Sequence, residues 1–175
     1  MTGAGMTGTA LTGADMTGAG MTGAGMTGAG RATGAPSEVE LLATVLRAAH
    51  AAVYGYGVLG ARLDDDSRRT ALVAYDGHRS RRDQLVTRLR ERGAQVPVSE
   101  PAYDVSVSGP VEALTLAIRL EEGMAVRWRD LVAGTDDAAL RGLAAAGLTE
   151  TAVRAARWRL QAGRSPVTVA LPGTA

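Results

Sequence analysis

Cysteine, lysine, phenylalanine and asparagine are absent from this 175-residue chain, and neither sign of charge dominates, with 19 basic against 18 acidic side chains. Each absence excludes a class of function. Without cysteine there is no disulfide framework, thiolate nucleophile, zinc finger or cysteine-ligated iron–sulfur cluster. Because every basic residue other than histidine is arginine, a Schiff-base or P-loop lysine is excluded as well. A net charge of +1 removes the general case for a polyanion-binding surface. No apolar run reaches the ~18 residues of a membrane span, so no membrane association is expected and the protein is read as cytoplasmic.

What is present begins with a repeat. Residues 1 to 30 are six pentads built on Met-Thr-Gly-Ala-Gly, and Thr-Gly recurs in each from Thr2-Gly3 to Thr27-Gly28. Glycine-rich sequence of this kind carries high backbone entropy and little side chain to bury. Residues 1–35 are therefore expected to be a disordered low-complexity tail, read as a tandem DNA repeat translated from a wrongly assigned upstream start, with a working linker as the alternative. Glycine also interrupts any apolar core that a secretory signal would need.

From Pro36 onward the apolar spacing alternates between three and four residues, the period of an amphipathic helix. Four helices are predicted. The first opens on the capping box Ser37-x-x-Glu40 and follows Val39, Leu42, Leu46, Ala49, Val53, Tyr56, Gly60 and Leu63. Asp64, Asp65 and Asp66 then cap a second helix along Ala71, Tyr75, His78, Arg82, Leu85 and Leu89, stopped at Gly93. Ser108, Gly109 and Pro110 start a third, through Val111, Leu114, Ile118, Glu121, Ala125, Trp128 and Val132. Thr135, Asp136 and Asp137 start a fourth, through Ala139, Leu143, Ala146, Glu150, Val153, Arg157 and Leu160.

The connections choose the topology. Two are short and make antiparallel neighbours, whereas the fourteen residues Ala94 to Val107 span at most about 46–50 Å when extended. That reaches the length of a bundle and lets the third helix start beside the second, pointing the same way. The fold class predicted for 36–175 is thus all-α, a ferritin-like four-helix bundle with one long crossover between helices 2 and 3. The segment Pro166 to Pro172 alternates like a strand but has no sheet to join, so it is expected to lie across a helix pair.

Polar residues on apolar seams are informative because burying a charge is costly. His78, Arg82, Glu121, Glu150 and Arg157 interrupt the seams, and His50 lies beside one. Placed by height, His50, His78, Glu121 and Glu150 fall near the middles of their helices and share one layer, to which Arg82, one turn from His78, and Arg157 are added as charge partners of the glutamates. Di-metal bundles take Glu from two helices and Glu-x-x-His from two more. Here Tyr75 precedes His78 where Glu is needed, Val153 follows Glu150 where His is needed, and Ala49 replaces a carboxylate. Two readings compete. One is a neutral network of arginine and glutamate with no cofactor; the other is a single transition-metal ion, zinc, manganese or iron, on His78, Glu121, Glu150 and His50.

The runs His50-Ala-Ala-Val-Tyr54-Gly-Tyr56-Gly57, His78-Arg79-Ser80-Arg81-Arg82-Asp83, Arg119-Leu120-Glu121-Glu122-Gly123, Trp128-Arg129 and Ala155-Ala156-Arg157-Trp158-Arg159 resemble an uncharacterised family of actinobacterial ferritin-like proteins. The resemblance covers about 36–173. It implies a ferritin-like fold and an activity not yet assigned, with no catalytic residues to transfer.

Other signals carry less. Gly55-x-Gly57-x-x-Gly60 matches a dinucleotide fingerprint, but a capped helix precedes it where a strand belongs. Arginine on the second helix invites a DNA-coating role, yet no exposed aromatic platform accompanies it, so nucleic acid is not expected as a partner. Tyr54 and Trp158 project off the seams and are expected either to be covered by the irregular segments or to form a homodimer surface. The function expected is that of a non-enzymatic structural or interaction protein whose protein partner the sequence does not name, with a metal-dependent oxidoreductase or metal-storage protein as the alternative.

Overall fold

The computed structural model describes residues 34–174, so the predicted repeat tail lies, but for its last residues, outside the described part. Four α-helices follow in order: α1 (Glu38–Leu59), α2 (Asp65–Glu91), α3 (Pro110–Gly134) and α4 (Ala138–Gln161), with one 3-10 turn at Gly60–Arg62 after α1. Each begins where its capping chemistry says it should. Ser37 and Glu40 form the reciprocal capping box on α1. Asp64 accepts from the Ser67 amide at 2.8 Å to start α2, and Asp137 accepts from Ala139 and Leu140 to start α4. Pro110 occupies the first turn of α3, where a missing amide hydrogen costs nothing. The predicted first helix ran unbroken to Leu63; the α-helix instead tightens at Gly60, letting the buried Leu63 turn the chain toward α2.

One charged cluster fixes the topology. Arg92, closing α2, donates to Glu38 at the start of α1 (2.7 Å) and to Asp137 at the start of α4 (2.9 Å). Thr135, just after α3, donates to the same Glu38. The starts of α1 and α4 and the ends of α2 and α3 therefore share one end of the bundle. α2 and α3 must run parallel, and residues 92–109 must travel the length of the molecule to connect them. His50 assists by meeting the Pro97 carbonyl at 3.3 Å, and Tyr54 packs on Tyr103 with ring centroids 5.2 Å apart. Tyr54 is thus covered by the crossover.

α1 lies against α2 and α3, and α3 lies against α1 and α4. Among the close approaches that glycine permits are two onto α3. A Cβ at Gly55 would stand 2.7 Å from Leu120 Cδ1, and one at Gly147 would stand 2.5 Å from the Trp128 ring. The interior divides into two apolar clusters. Leu42, Leu46, Leu85, Leu89, Trp128 and Leu131 fill the end near Arg92. Tyr56, Leu59, Leu63, Ile118 and Trp158 fill the other. Along every helix the boundary between them falls at a polar or hydroxyl side chain: Tyr56, His78, Glu121 and Thr151. No helix among the described residues is long and apolar enough to cross a membrane.

Candidate functional site

The boundary layer is built around one oxygen. Glu121 Oε1 accepts from Tyr56 Oη (2.6 Å) on α1, His78 Nε2 (2.9 Å) on α2 and Arg154 Nε (3.0 Å) on α4. Every helix of the bundle thus reaches one atom of α3. Trp158 Nε1 donates to Tyr56 Oη at 2.7 Å, which extends the chain of donors from tryptophan through tyrosine to carboxylate. His78 and Glu121 have no exposed surface, and the Arg154 side chain retains 16%.

Burial alone would raise the Glu121 pKa, but the hydrogen bond and charge of His78, then the Arg154 guanidinium and the Tyr56 hydroxyl, outweigh it and hold the carboxyl below the ordinary glutamate range. The same burial and the adjacent carboxylate push the Tyr56 phenol well above its ordinary value. With Glu121 ionised, His78 Nε2 must carry the shared hydrogen. The Glu121 carboxylate thus faces the Arg154 guanidinium, with a phenol, an indole and an imidazole completing the cluster. Two atoms stand outside this accounting, because Glu121 Oε2 and His78 Nδ1 are buried with no hydrogen-bond partner. Each such atom costs about 1–3 kcal/mol.

Of the six residues proposed for the layer, the structure brings together His78 and Glu121. The other four lie elsewhere. Glu150 is half outside, its side chain 46% exposed; it pairs with Arg81 and stands 4.0 Å from Arg154 at the rim of the cluster. Arg157 is exposed and makes no ion pair among the described residues. Arg82 turns away to Asp83 (Nε–Oδ1 2.9 Å), and Arg81, one position earlier, reaches across to α4 instead. His50 faces the crossover. The four candidate metal ligands consequently do not converge. Among the described residues, no group of three or more His, Cys, Asp or Glu side chains is placed to hold a metal ion.

Both displaced residues of α4 have one cause. The expected seam ran through Ala139, Leu143, Ala146, Glu150, Val153, Arg157 and Leu160, while the buried face is Leu140, Ala144, Gly147, Thr151, Ala155 and Trp158, one position on. α4 carries eight alanines, so its two adjacent stripes are nearly equal in hydrophobicity and periodicity alone does not choose. Burying Trp158 and Leu140 removes more apolar area from water than burying Val153 and Leu160, which stay 45% and 66% exposed. The shifted face is what presents Arg154, missed in the sequence, to Glu121. Trp158, expected off the seam and either covered by the irregular segments or part of a homodimer surface, is instead fully buried in the bundle core beside Tyr56. The usable signal was the spacing Thr151, Arg154, Trp158, one turn apart around the helix's only aromatic residue.

A family described as a domain of unknown function (DUF4439) matches residues 41–175. The chain belongs to this family. Its helices are also similar to a solved structure, a conserved hypothetical protein from Mycobacterium tuberculosis, with 33% sequence identity and a TM-score of 0.69. That similarity covers 71% of this chain and 96% of the other. The curated proteins gave no match. The family match starts within the first turn of α1 and includes Tyr56, His78, Glu121, Arg154 and Trp158, so the buried cluster lies wholly inside it. The biochemical function of the family is unknown, and the chain shares that status.

Proposed function

We propose that the chain is a non-enzymatic bundle of ferritin-like topology, in which a neutral hydrogen-bonded lock occupies the level where metal bundles carry their ligands, and that it acts through binding at its surface. One observation carries this reading: donors from three helices converge on Glu121 Oε1. Such a cluster penalises any slip of one helix past another, since a slip strands a buried carboxylate or guanidinium. The Arg154 charge beside Glu121 also opposes a bound cation. The crossover between α2 and α3 supports the ferritin-like assignment. The Mycobacterium tuberculosis relative supports an actinobacterial family, and a cytoplasmic setting fits a chain without cysteine.

The metal-dependent alternative draws on the two unpartnered atoms, His78 Nδ1 and Glu121 Oε2, which are one nitrogen and one oxygen ligand where at least three protein ligands are usual. Elemental analysis of protein purified without chelator or affinity metal separates the readings. A lock gives substoichiometric metal and an unfolding midpoint unmoved by added zinc, manganese or iron. Stoichiometric metal that disappears in both His78→Ala and Glu121→Ala would overturn the lock.

A further inference from the structure

A concavity lies outside the cluster, along the outer faces of α3 and α4, and shares no residue with it. Its volume is about 650 Å³, within the roughly 300–1,000 Å³ common for small-molecule sites. The helices are antiparallel, and this gives the groove two unlike ends. Arg119 and Glu122 on α3 and Arg159 on α4 lie at one end. Val126 and Leu148 lie at the other, beyond a floor of alanines that includes Ala152. From residue 159 to residue 148 the helix rises about 16 Å. The flank is residues 164–174, an irregular segment pinned at three points. Arg164 donates to Thr115 (2.8 Å), Arg159 to the Val167 carbonyl (3.4 Å) and Arg129 to the Gly173 carbonyl. Between the pins Val169 and Pro172 line the groove.

The charge at the polar end does not cancel. Arg159 is held by Glu122 at 2.6 Å, while Arg119 is exposed and makes no hydrogen bond or ion pair among the described residues. The groove therefore offers an uncommitted guanidinium at its head and an apolar trough behind it. A trough of about 16 Å matches roughly a dozen carbon–carbon bonds at about 1.3 Å of advance each. We infer that this groove binds an anionic amphiphile, a long-chain carboxylate whose head group meets Arg119 and whose chain lies between α3, α4 and the C-terminal segment. A guanidinium suits a carboxylate because two parallel N–H donors face its two oxygens. The inference gives the surface-binding role proposed above an occupant. It rests on that reading only in this respect, since metal content and the stability of Glu121 variants report on the lock independently.

The test uses the full chain and cis-parinaric acid, a carboxylate that fluoresces on entering an apolar site, titrated below its micellar concentration. Saturable binding at one site per chain is expected. Ala152→Trp, which fills the trough from a half-exposed position, should abolish it while helicity and the unfolding midpoint stay unchanged. Arg119→Glu should weaken it about tenfold, the equivalent of one charged hydrogen bond. Tridecanol should compete at least tenfold less well than tridecanoate, whose dozen carbon–carbon bonds match the trough. The proposal is overturned by non-saturable uptake, by binding indifferent to Ala152→Trp, or by an alcohol that competes as well as the acid. It is equally overturned if light scattering finds a dimer that Ala152→Trp dissociates, because the trough would then be filled by a second copy.

Discussion

The two ionic clusters of this bundle use the same groups to different effect. At the end of the molecule Arg92 joins Glu38 and Asp137, side chains that keep 20%, 29% and 42% of their surface, and water shares the work of solvating them. At the polar layer Arg154 joins a Glu121 with none. Removing one member at the end leaves the others hydrated. Removing one in the layer leaves a charge or a donor facing apolar side chains. The exposed cluster reports topology, and the buried one enforces register.

That contrast can be broken by substitution, beginning with the largest effect. Glu121→Ala strands Arg154, His78 and Tyr56 together and should lower stability by about 3–5 kcal/mol in urea unfolding. A loss below about 1 kcal/mol would make the layer no more than another ion pair. Next, Tyr56→Phe removes a hydroxyl that both donates and accepts, and should remove about 1–2 kcal/mol at neutral pH.

The pH dependence separates the clusters further. The folded pKa of Glu121 lies below its ordinary 4.5, so the stability tied to its ionisation is present above that value and is lost as the pH falls through the folded one. Glu38 is lowered too, first by the Thr135 hydrogen bond and then by Arg92, so the acid limb belongs to both clusters. Tyr56 is raised above 10.0, so its contribution is complete below pH 10 and disappears as the pH rises toward the folded value. Thermal unfolding from pH 7 to 11 should therefore show an alkaline decline that Tyr56→Phe flattens and Arg92→Ala leaves intact. Arg92→Ala itself should cost less than Tyr56→Phe and fade as salt is raised, because its partners are screened. At the bottom of the scale, Arg157→Ala should leave the unfolding midpoint within error, whereas a layer containing Arg157 would make it costly. That null result tests the register of α4.

Much of the architecture was legible because local chemistry announces it. The capping box at Ser37, the aspartates at 64 and 137, and Pro110 each mark a helix start within a residue or two, since an orphaned amide needs its acceptor next to it in sequence. The long connection implied parallel α2 and α3 from reach alone. The candidate site was half legible. His78 and Glu121 stand on seams rich in large side chains, which leave one choice of buried face. Glu150 and Arg157 were misplaced because alanine-rich α4 presents two faces of similar area. Arg82 yielded to Arg81 because both stand at the edge of the α2 seam, and only the position of Glu150 across the gap selects between them.

The sequence by itself determined the four helices, their starts and the single crossover, because caps, period and loop length act within a few residues of where they are written. Tertiary structure decided which face of α4 turns inward and hence that Arg154, not Arg157, meets Glu121. That choice depends on how much of Trp158 and Leu140 the other three helices can cover, a quantity that exists only once they have packed together.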